Sequence, residues 1–154
     1  MRTCIEMLIN HNKNCREPIL QTFEQLSEED LTKDLGVGRR SIRNILVHLM
    51  NSEKYWISVL SNEEFKRIDH NNFKDIPSIR GAWCEVEDRT DDFLRNLKEE
   101  NLLHVRNVSL KVGTESFTIA KALIHMATHE THHRGLLVGL ARQLGLEPPN
   151  VNML

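Results

Sequence analysis

Apolar residues recur at steps of three and four along four segments of this 154-residue chain, and this periodicity constrains its fold more than any other feature. Such spacing places the apolar side chains on one face of an α-helix. The sequence predicts helices over about 3–26, Ser41 to Leu60, Pro77 to Leu97 and Thr118 to Gly145. Residues 104–117 lose this period, and there we expect a short hairpin around Gly113 or an extended crossover.

The fourth helix has marked ends, since Thr118 is a typical N-cap and Gly145 a typical residue just past a helix. Pro148 and Pro149 prevent any continuation. Four amphipathic helices joined by moderate loops predict an all-α fold, a four-helix bundle. The long connection before the last helix leaves the topology open. Because repeats and linkers are missing from the sequence, we expect one domain over 1–154.

The composition argues against several classes of function. Charged residues of both signs are mixed, the net charge is −2, and no basic stripe suggests a nucleic-acid partner. The N-terminal residues form no signal core, and no apolar run approaches the length of a membrane span. Three widely spaced cysteines fit neither a disulfide framework nor a zinc knuckle. We therefore expect a cytoplasmic protein that binds neither nucleic acid nor membranes.

Histidines cluster in the fourth segment, where His125, His129, His132 and His133 lie close together in the chain. At about 100° per residue, His133 lies near the centre of the apolar face and His129 about 40° from it. His125 and His132 lie on the margin. Residues four apart stack on one helix face, so two such imidazoles can both reach one metal ion. We predict that His129 and His133 bind a divalent transition metal.

The run from His129 to His133 also satisfies the HExxH pattern of zinc proteases literally. In that reading Glu130 is the base that activates water. The small size of the chain and the lack of a recognisable protease sheet argue against it. We interpret the match as a consequence of the histidine spacing.

A catalytic metal usually has three protein ligands and an open position. Candidates for the third ligand are His48 in the second helix, His11 in the first, and Glu53. The helical wheel does not select among them, and it places His48 on the flank of its apolar face. Glu53 has other possible roles, as a general base, as a residue that orients a ligand, or in an ordinary ion pair.

Two further residues have competing interpretations. Cys15 follows His11 by four positions, but its regular place on an apolar face favours a buried thiol over a nucleophile. Arg134 projects about 100° from His133 and would hold an anionic substrate group or form a salt bridge. Imidazole ligands suit zinc, nickel, copper and iron alike, so the residues do not identify the metal.

Two parts of the chain together resemble the DinB/YfiT-like metal-dependent family. The run Ile124–Gly135 is similar to the family signature H-x-x-N-H-x-x-H-H-R-G-Q. The run 41–49, followed by Glu53 and an aromatic pair at 55–56, looks like the family's second-helix histidine region. The sequence departs from the signature at Thr128, where Asn is common, and at Leu136, where Gln is usual.

The resemblance implies an up-down-down-up bundle and a metal (zinc, nickel or iron) held by His48, His129 and His133. It also implies a homodimer and a thiol S-transferase or hydrolase that activates a metal-bound thiol or water. A low-molecular-weight thiol and a small electrophile would then be its substrates. Because Leu136 replaces the usual Gln, a non-catalytic metal-binding stress-response dimer with a structural or vestigial site stays open as the alternative.

Overall fold

The computed structural model describes residues 1–110 and 113–153, which form five α-helices and a β-hairpin. The helices are α1 (Arg2–Phe23), α2 (Glu28–Thr32), α3 (Ile42–Ser61), α4 (Ile76–Asn96) and α5 (Ile119–Gln143). The strands β1 (Val105–Leu110) and β2 (Gly113–Thr118) pair antiparallel, with Val105 opposite Thr118. Short 3₁₀ helices cover His70–Asn72 and Glu99–Leu103.

Side-chain caps fix where α3 and α5 begin. The Ser41 hydroxyl accepts a hydrogen bond from the Asn44 amide (3.3 Å) at the start of α3. At the start of α5, the Thr118 hydroxyl accepts one from the Lys121 amide (3.2 Å). These bonds satisfy amides that have no partner within the helix. The predicted N-cap at Thr118 is confirmed.

The end of α5 has the geometry expected of a glycine stop. Gly145 takes a φ of +75°, and its amide donates to the carbonyl of Arg142 (3.0 Å). The Leu146 amide donates to the carbonyl of Ala141 (2.9 Å), which completes a Schellman motif. The predicted stop at Gly145 is confirmed.

Two apolar clusters build the core, and each draws on α1, α3 and α5. The first contains Phe23, Leu46, Ile79 and Leu137, and the second contains Ile9, Ile57, Phe117 and Leu123. Helix α1 contacts α4 and α5, and α3 also contacts α4 and α5. No helix in the described residues is both long and apolar enough to cross a membrane.

The four predicted helices are present as α1, α3, α4 and α5, and a hairpin connects the last two. The prediction of an all-α chain is wrong, because residues 105–110 and 113–118 pair as strands. Helix α1 ends at Phe23 instead of near residue 26, and the five-residue α2 was not predicted. The four-helix bundle, its up-down-down-up order and the single domain over 1–154 stay predictions.

Candidate metal centre

Three histidines from two helices meet where α3 and α5 pack together. One ligand nitrogen from each of His48, His129 and His133 lies within 4.8 Å of the other two. The Nε2 atoms of His48 and His129 are 3.1 Å apart. The ring centroids are 4.9 Å apart for His48–His129, 4.8 Å for His48–His133 and 4.6 Å for His129–His133. The three imidazoles therefore converge on one small volume.

Helix geometry explains this convergence. His129 and His133 are four residues apart on α5, so they stand one above the other on the same face. His48 is half-buried on the flank of α3, as the helical wheel predicted, and this flank faces α5. His125 and His132 are exposed and lie outside the group, with His125 packed edge-on against Trp56.

All three imidazoles are held in the neutral form. Burial lowers the pKa of His48 to about 4, helped by the positive charge of Arg39 and by the neighbouring histidines. Burial and the charges of His133 and the other nearby histidines lower the pKa of His129 to about 4. The pKa of His133 is lowered by burial, His132 and Arg39. Near neutral pH the three rings therefore keep lone pairs available to a metal.

The donor set fits a transition metal. Two nitrogens bound to one tetrahedral zinc are about 3.3 Å apart, given Zn–N distances of about 2.0–2.1 Å. The His48–His129 separation of 3.1 Å is close to this value. Among the described residues, the buried Nδ1 atom of His133 has no hydrogen-bond partner. The site thus offers closely spaced neutral nitrogens, which suit a borderline-soft divalent metal.

The adjacent face of α5, about 100° from His129, is anchored in the core. Glu130 is only 7% exposed, and its two carboxylate oxygens accept hydrogen bonds from Nε (2.8 Å) and Nη2 (2.6 Å) of Arg16. Arg16 Nη2 lies 2.8 Å from Glu53 Oε2, and Nη1 donates to Glu87 (2.6 Å). Burial alone would lower the pKa of Arg16, but the charges of Glu130 and Glu53 outweigh it and raise that pKa above its ordinary value.

This ionic cluster joins all four long helices between the two apolar clusters. Trp83 and Thr90 of α4 donate hydrogen bonds to the two carboxylate oxygens of Glu53 (3.0 and 2.7 Å). One turn further along α5, Arg134 donates to Asn12 Oδ1 (2.6 Å), and the Asn12 side-chain amide donates to the carbonyl of Ala127 (2.9 Å). These bonds fix the rotation of α5, and with it the direction of His129 and His133.

The structure bears on four of the sequence-based interpretations. Glu130 points away from the histidines and is bonded to Arg16, so it is not placed as the base of an HExxH protease. Glu53 lies in the ionic cluster instead of the histidine group. Arg134 is buried against Asn12, and among the described residues it forms no ion pair. The core face of α5 centres on Glu130 and Arg134, so the wheel placed His133 too close to its centre.

His11 and Cys15 form a separate contact on α1. The Cys15 sulfur lies 3.6 Å from His11 Nε2 and 3.9 Å from the carbonyl oxygen of Val151. Burial raises the pKa of the Cys15 thiol, although Arg134 partly opposes this. A thiol with a raised pKa is a poor nucleophile, which agrees with the sequence-based preference for a packing role.

Leu136 packs against the loop that precedes α3. A Cβ atom added to Gly38 would lie 2.5 Å from Leu136 Cδ2, so only a glycine fits this approach without displacing the leucine. Gly38 also has a φ of +54°. The residue that replaces the signature Gln therefore makes an apolar contact between α5 and this loop.

The match to a known family covers the full chain. The model of the DinB family matches residues 1–154. The chain belongs to the DinB family. Among curated relatives, it is 25% identical to Protein DinB of Bacillus subtilis (strain 168), with 90% of this chain and 84% of that protein covered. It is 23% identical to the uncharacterized protein YizA of the same organism, with 94% and 90% covered.

Solved structures of the same fold include a DinB-like protein from Bacillus cereus ATCC 10987, with a TM-score of 0.71 and 18% identity. That comparison covers 94% of this DinB-family chain and 95% of the other. A conserved protein from Enterococcus faecalis has a TM-score of 0.68 and 15% identity, over 90% and 92% of the two chains. At these identities the likeness supports the fold alone.

Proposed function

We propose that this protein is a metal-dependent thiol S-transferase in which His48, His129 and His133 hold one divalent metal. The observation that carries the proposal is the convergence of three imidazoles, with the Nε2 atoms of His48 and His129 3.1 Å apart. Three imidazole ligands leave a coordination position for a substrate. A divalent metal bound there supplies Lewis acidity, which lowers the pKa of a coordinated thiol or water toward neutral.

The surroundings of the triad support access for a small molecule. A cleft of about 580 Å³ borders His48, and its size is in the range typical of sites for small ligands. The face of α5 that carries Glu130 and Arg134 is buried against α1, so a small molecule would approach the histidines from the side of His48. We propose a low-molecular-weight thiol and a small electrophile as the substrates. Hydrolysis by an activated water is the same chemistry with a different nucleophile.

A thiol-transfer assay tests this function. Protein loaded with zinc, nickel or iron would be mixed with a thiol and a bromoalkane. In productive transfer the sulfur forms a bond to carbon, the carbon–bromine bond breaks, bromide leaves and the thiol proton passes to solvent. We expect product with wild type and with His132→Ala, and a loss of at least about a hundredfold with His129→Ala. No metal-dependent product, or equal losses in both variants, would refute the transferase.

A second candidate function is a metal-binding protein without catalytic activity. It is favoured by Leu136, whose apolar contact with Gly38 stands where the signature has a polar Gln. Under this alternative, the metal stabilises the fold and the assay above gives no product. Removal of the metal would then lower the melting temperature of the wild type by several degrees, and of His129→Ala hardly at all.

A further inference from the structure

The cleft beside His48 carries an unusual excess of positive charge. It is formed by the loop before α3, by one flank of α3, and by the segment that follows this helix. Three arginines, Arg39, Arg40 and Arg67, line it together with His70. Among the described residues that line the cleft, none is an Asp or Glu. A concave surface with charge of one sign concentrates ligands of the opposite charge.

Two of these arginines have no carboxylate to neutralise them within the described parts of the chain. Arg40 pairs with Asp34 (3.3 Å) outside the cleft lining, whereas Arg39 and Arg67 form no ion pair there. Most other arginines of the chain do pair with acids, including the buried Arg16 and the surface residue Arg80. Within the described residues, the cleft thus holds two arginines whose charge no ion pair neutralises.

The loop before α3, which carries Arg39, contains three residues with positive φ. Gly36, Gly38 and Arg40 all take positive φ, at +71°, +54° and +75°. For a residue with a side chain this conformation costs about 1 kcal/mol or more, and such costs cluster at functional sites. The Arg40 amide donates to the carbonyl of Val37 (2.8 Å), and the Leu35 amide donates to the carbonyl of Arg40 (2.6 Å). These bonds close the loop, and the Asn44 side chain of α3 donates to the carbonyl of Arg39 (3.3 Å).

Arg39 also reaches the histidine group. Its Nη2 atom lies 3.5 Å from Nε2 of His48. A histidine nitrogen has one lone pair, so a metal bound at this atom and the guanidinium cannot share it. The Arg39 guanidinium lines the cleft in the absence of a metal, next to a candidate metal ligand.

We propose that this cleft is an anion subsite, in which Arg39 and Arg67 bind a carboxylate group of the substrate. Guanidinium groups bind carboxylates through paired charge-assisted hydrogen bonds, which suits them to this task. Tyr55 and Phe65, packed edge to face at 5.3 Å, give the cleft an aromatic wall for the carbon skeleton. As a substrate subsite this rests on the proposed function, but anion binding itself requires no metal.

Calorimetry with succinate and its neutral analogue succinamide tests the subsite. The protein would be metal-free, in a cationic buffer of low ionic strength, so that no metal binds the carboxylates. We expect succinate to bind at least about tenfold more tightly than succinamide. Arg39→Gln and Arg67→Gln should each weaken succinate by about tenfold. Arg142→Gln, a change of an exposed arginine on α5, should leave the affinity unchanged.

The outcomes separate this proposal from the metal site. If succinate binds no better than succinamide, or if Arg142→Gln weakens it as much as the cleft variants do, the anion subsite is wrong. That result would leave the metal site untouched. If succinate binds as expected but the protein takes up no metal, the subsite stands and the proposed transferase fails.

Discussion

The Nε2 atoms of His48 and His129 lie 3.1 Å apart, although 81 positions separate the two residues in the chain. Neither helix alone could create this contact, because His48 is on α3 and His129 on α5. The contact therefore depends on how α3 and α5 pack against each other. A metal site with all three histidines would therefore require the folded chain, and we expect a short peptide of α5 to bind metal more weakly.

Replacement of His48 should affect metal binding as strongly as replacement of a histidine on α5. We expect His48→Ala to weaken zinc affinity by at least about a hundredfold, because one of three ligands is lost. His132→Ala is the matched control, since His132 is exposed and lies outside the group. Competition with a chromogenic chelator measures both affinities. An unchanged affinity in His48→Ala would contradict the three-histidine assignment.

The lowered pKa values of the histidines predict how stability depends on pH. The pKa values of His48 and His129 are about 4 in the folded protein, whereas the pKa of a free imidazole is about 6.5. Between these values the unfolded chain binds protons that the folded chain does not, so acid favours unfolding. The free energy of unfolding of metal-free protein should fall as the pH falls from about 6.5 to about 4.

Urea unfolding at several pH values measures this dependence. The double variant His48→Asn, His129→Asn should show a smaller decrease over the same window, because it lacks the two groups. Acidic groups contribute equally to both proteins, so the difference between them isolates the histidines. Identical pH profiles would show that the two imidazoles are not held neutral.

The ionic cluster around Arg16 should be the polar group on which stability depends most. Arg16→Met leaves the buried carboxylates of Glu130 and Glu53 without their cation, and we expect a loss of about 3–5 kcal/mol. Arg95→Met is the control, because Arg95 pairs with Asp92 on the surface (2.8 Å) and should cost below about 1 kcal/mol. Urea unfolding compares them. Equally small losses of stability in both variants would contradict the buried ion pairs of Arg16 with Glu53 and Glu130.

Two glycines in the loop before α3 offer a matched test of its packing. Gly36→Ala and Gly38→Ala both place a side chain at positive φ, at a cost of about 1 kcal/mol. Only at Gly38 would the new Cβ also meet Leu136. We expect Gly38→Ala to cost more, and Leu136→Ala to remove the excess in a double-mutant cycle. An excess that persists without Leu136 would contradict the contact.

The sequence predicted much of the local structure because the signals were local. The N-cap at Thr118 and the glycine stop at Gly145 are signals that depend only on neighbouring residues, and the structure confirms both. The loss of helical period before Thr118 is also a local signal, and strands pair there. The stacked pair His129 and His133 was predictable for the same reason. His48 followed only from resemblance, since the face that a helix presents to another depends on the whole fold.

The ionic cluster and the conformation of the loop before α3 were not predicted, for physical reasons. Arg16 and Glu130 carry charge at core positions, and a pattern of apolar residues counts such positions as surface. Each is buried only because the other is present, and their pairing across α1 and α5 leaves no trace in spacing. The position of Arg39 was not predicted because it depends on a loop with three positive-φ residues, of which only the glycines are recognisable in the sequence.

X-ray absorption of the zinc-loaded protein tests the central claim most directly. The account predicts one zinc per chain, with three imidazole nitrogens at about 2.0–2.1 Å and one further light ligand. His48→Ala should reduce the imidazole scattering to two rings at most. A sample that takes up no stoichiometric metal, or whose spectrum in wild type lacks imidazole scattering, would contradict the assignment of His48, His129 and His133 as a metal centre.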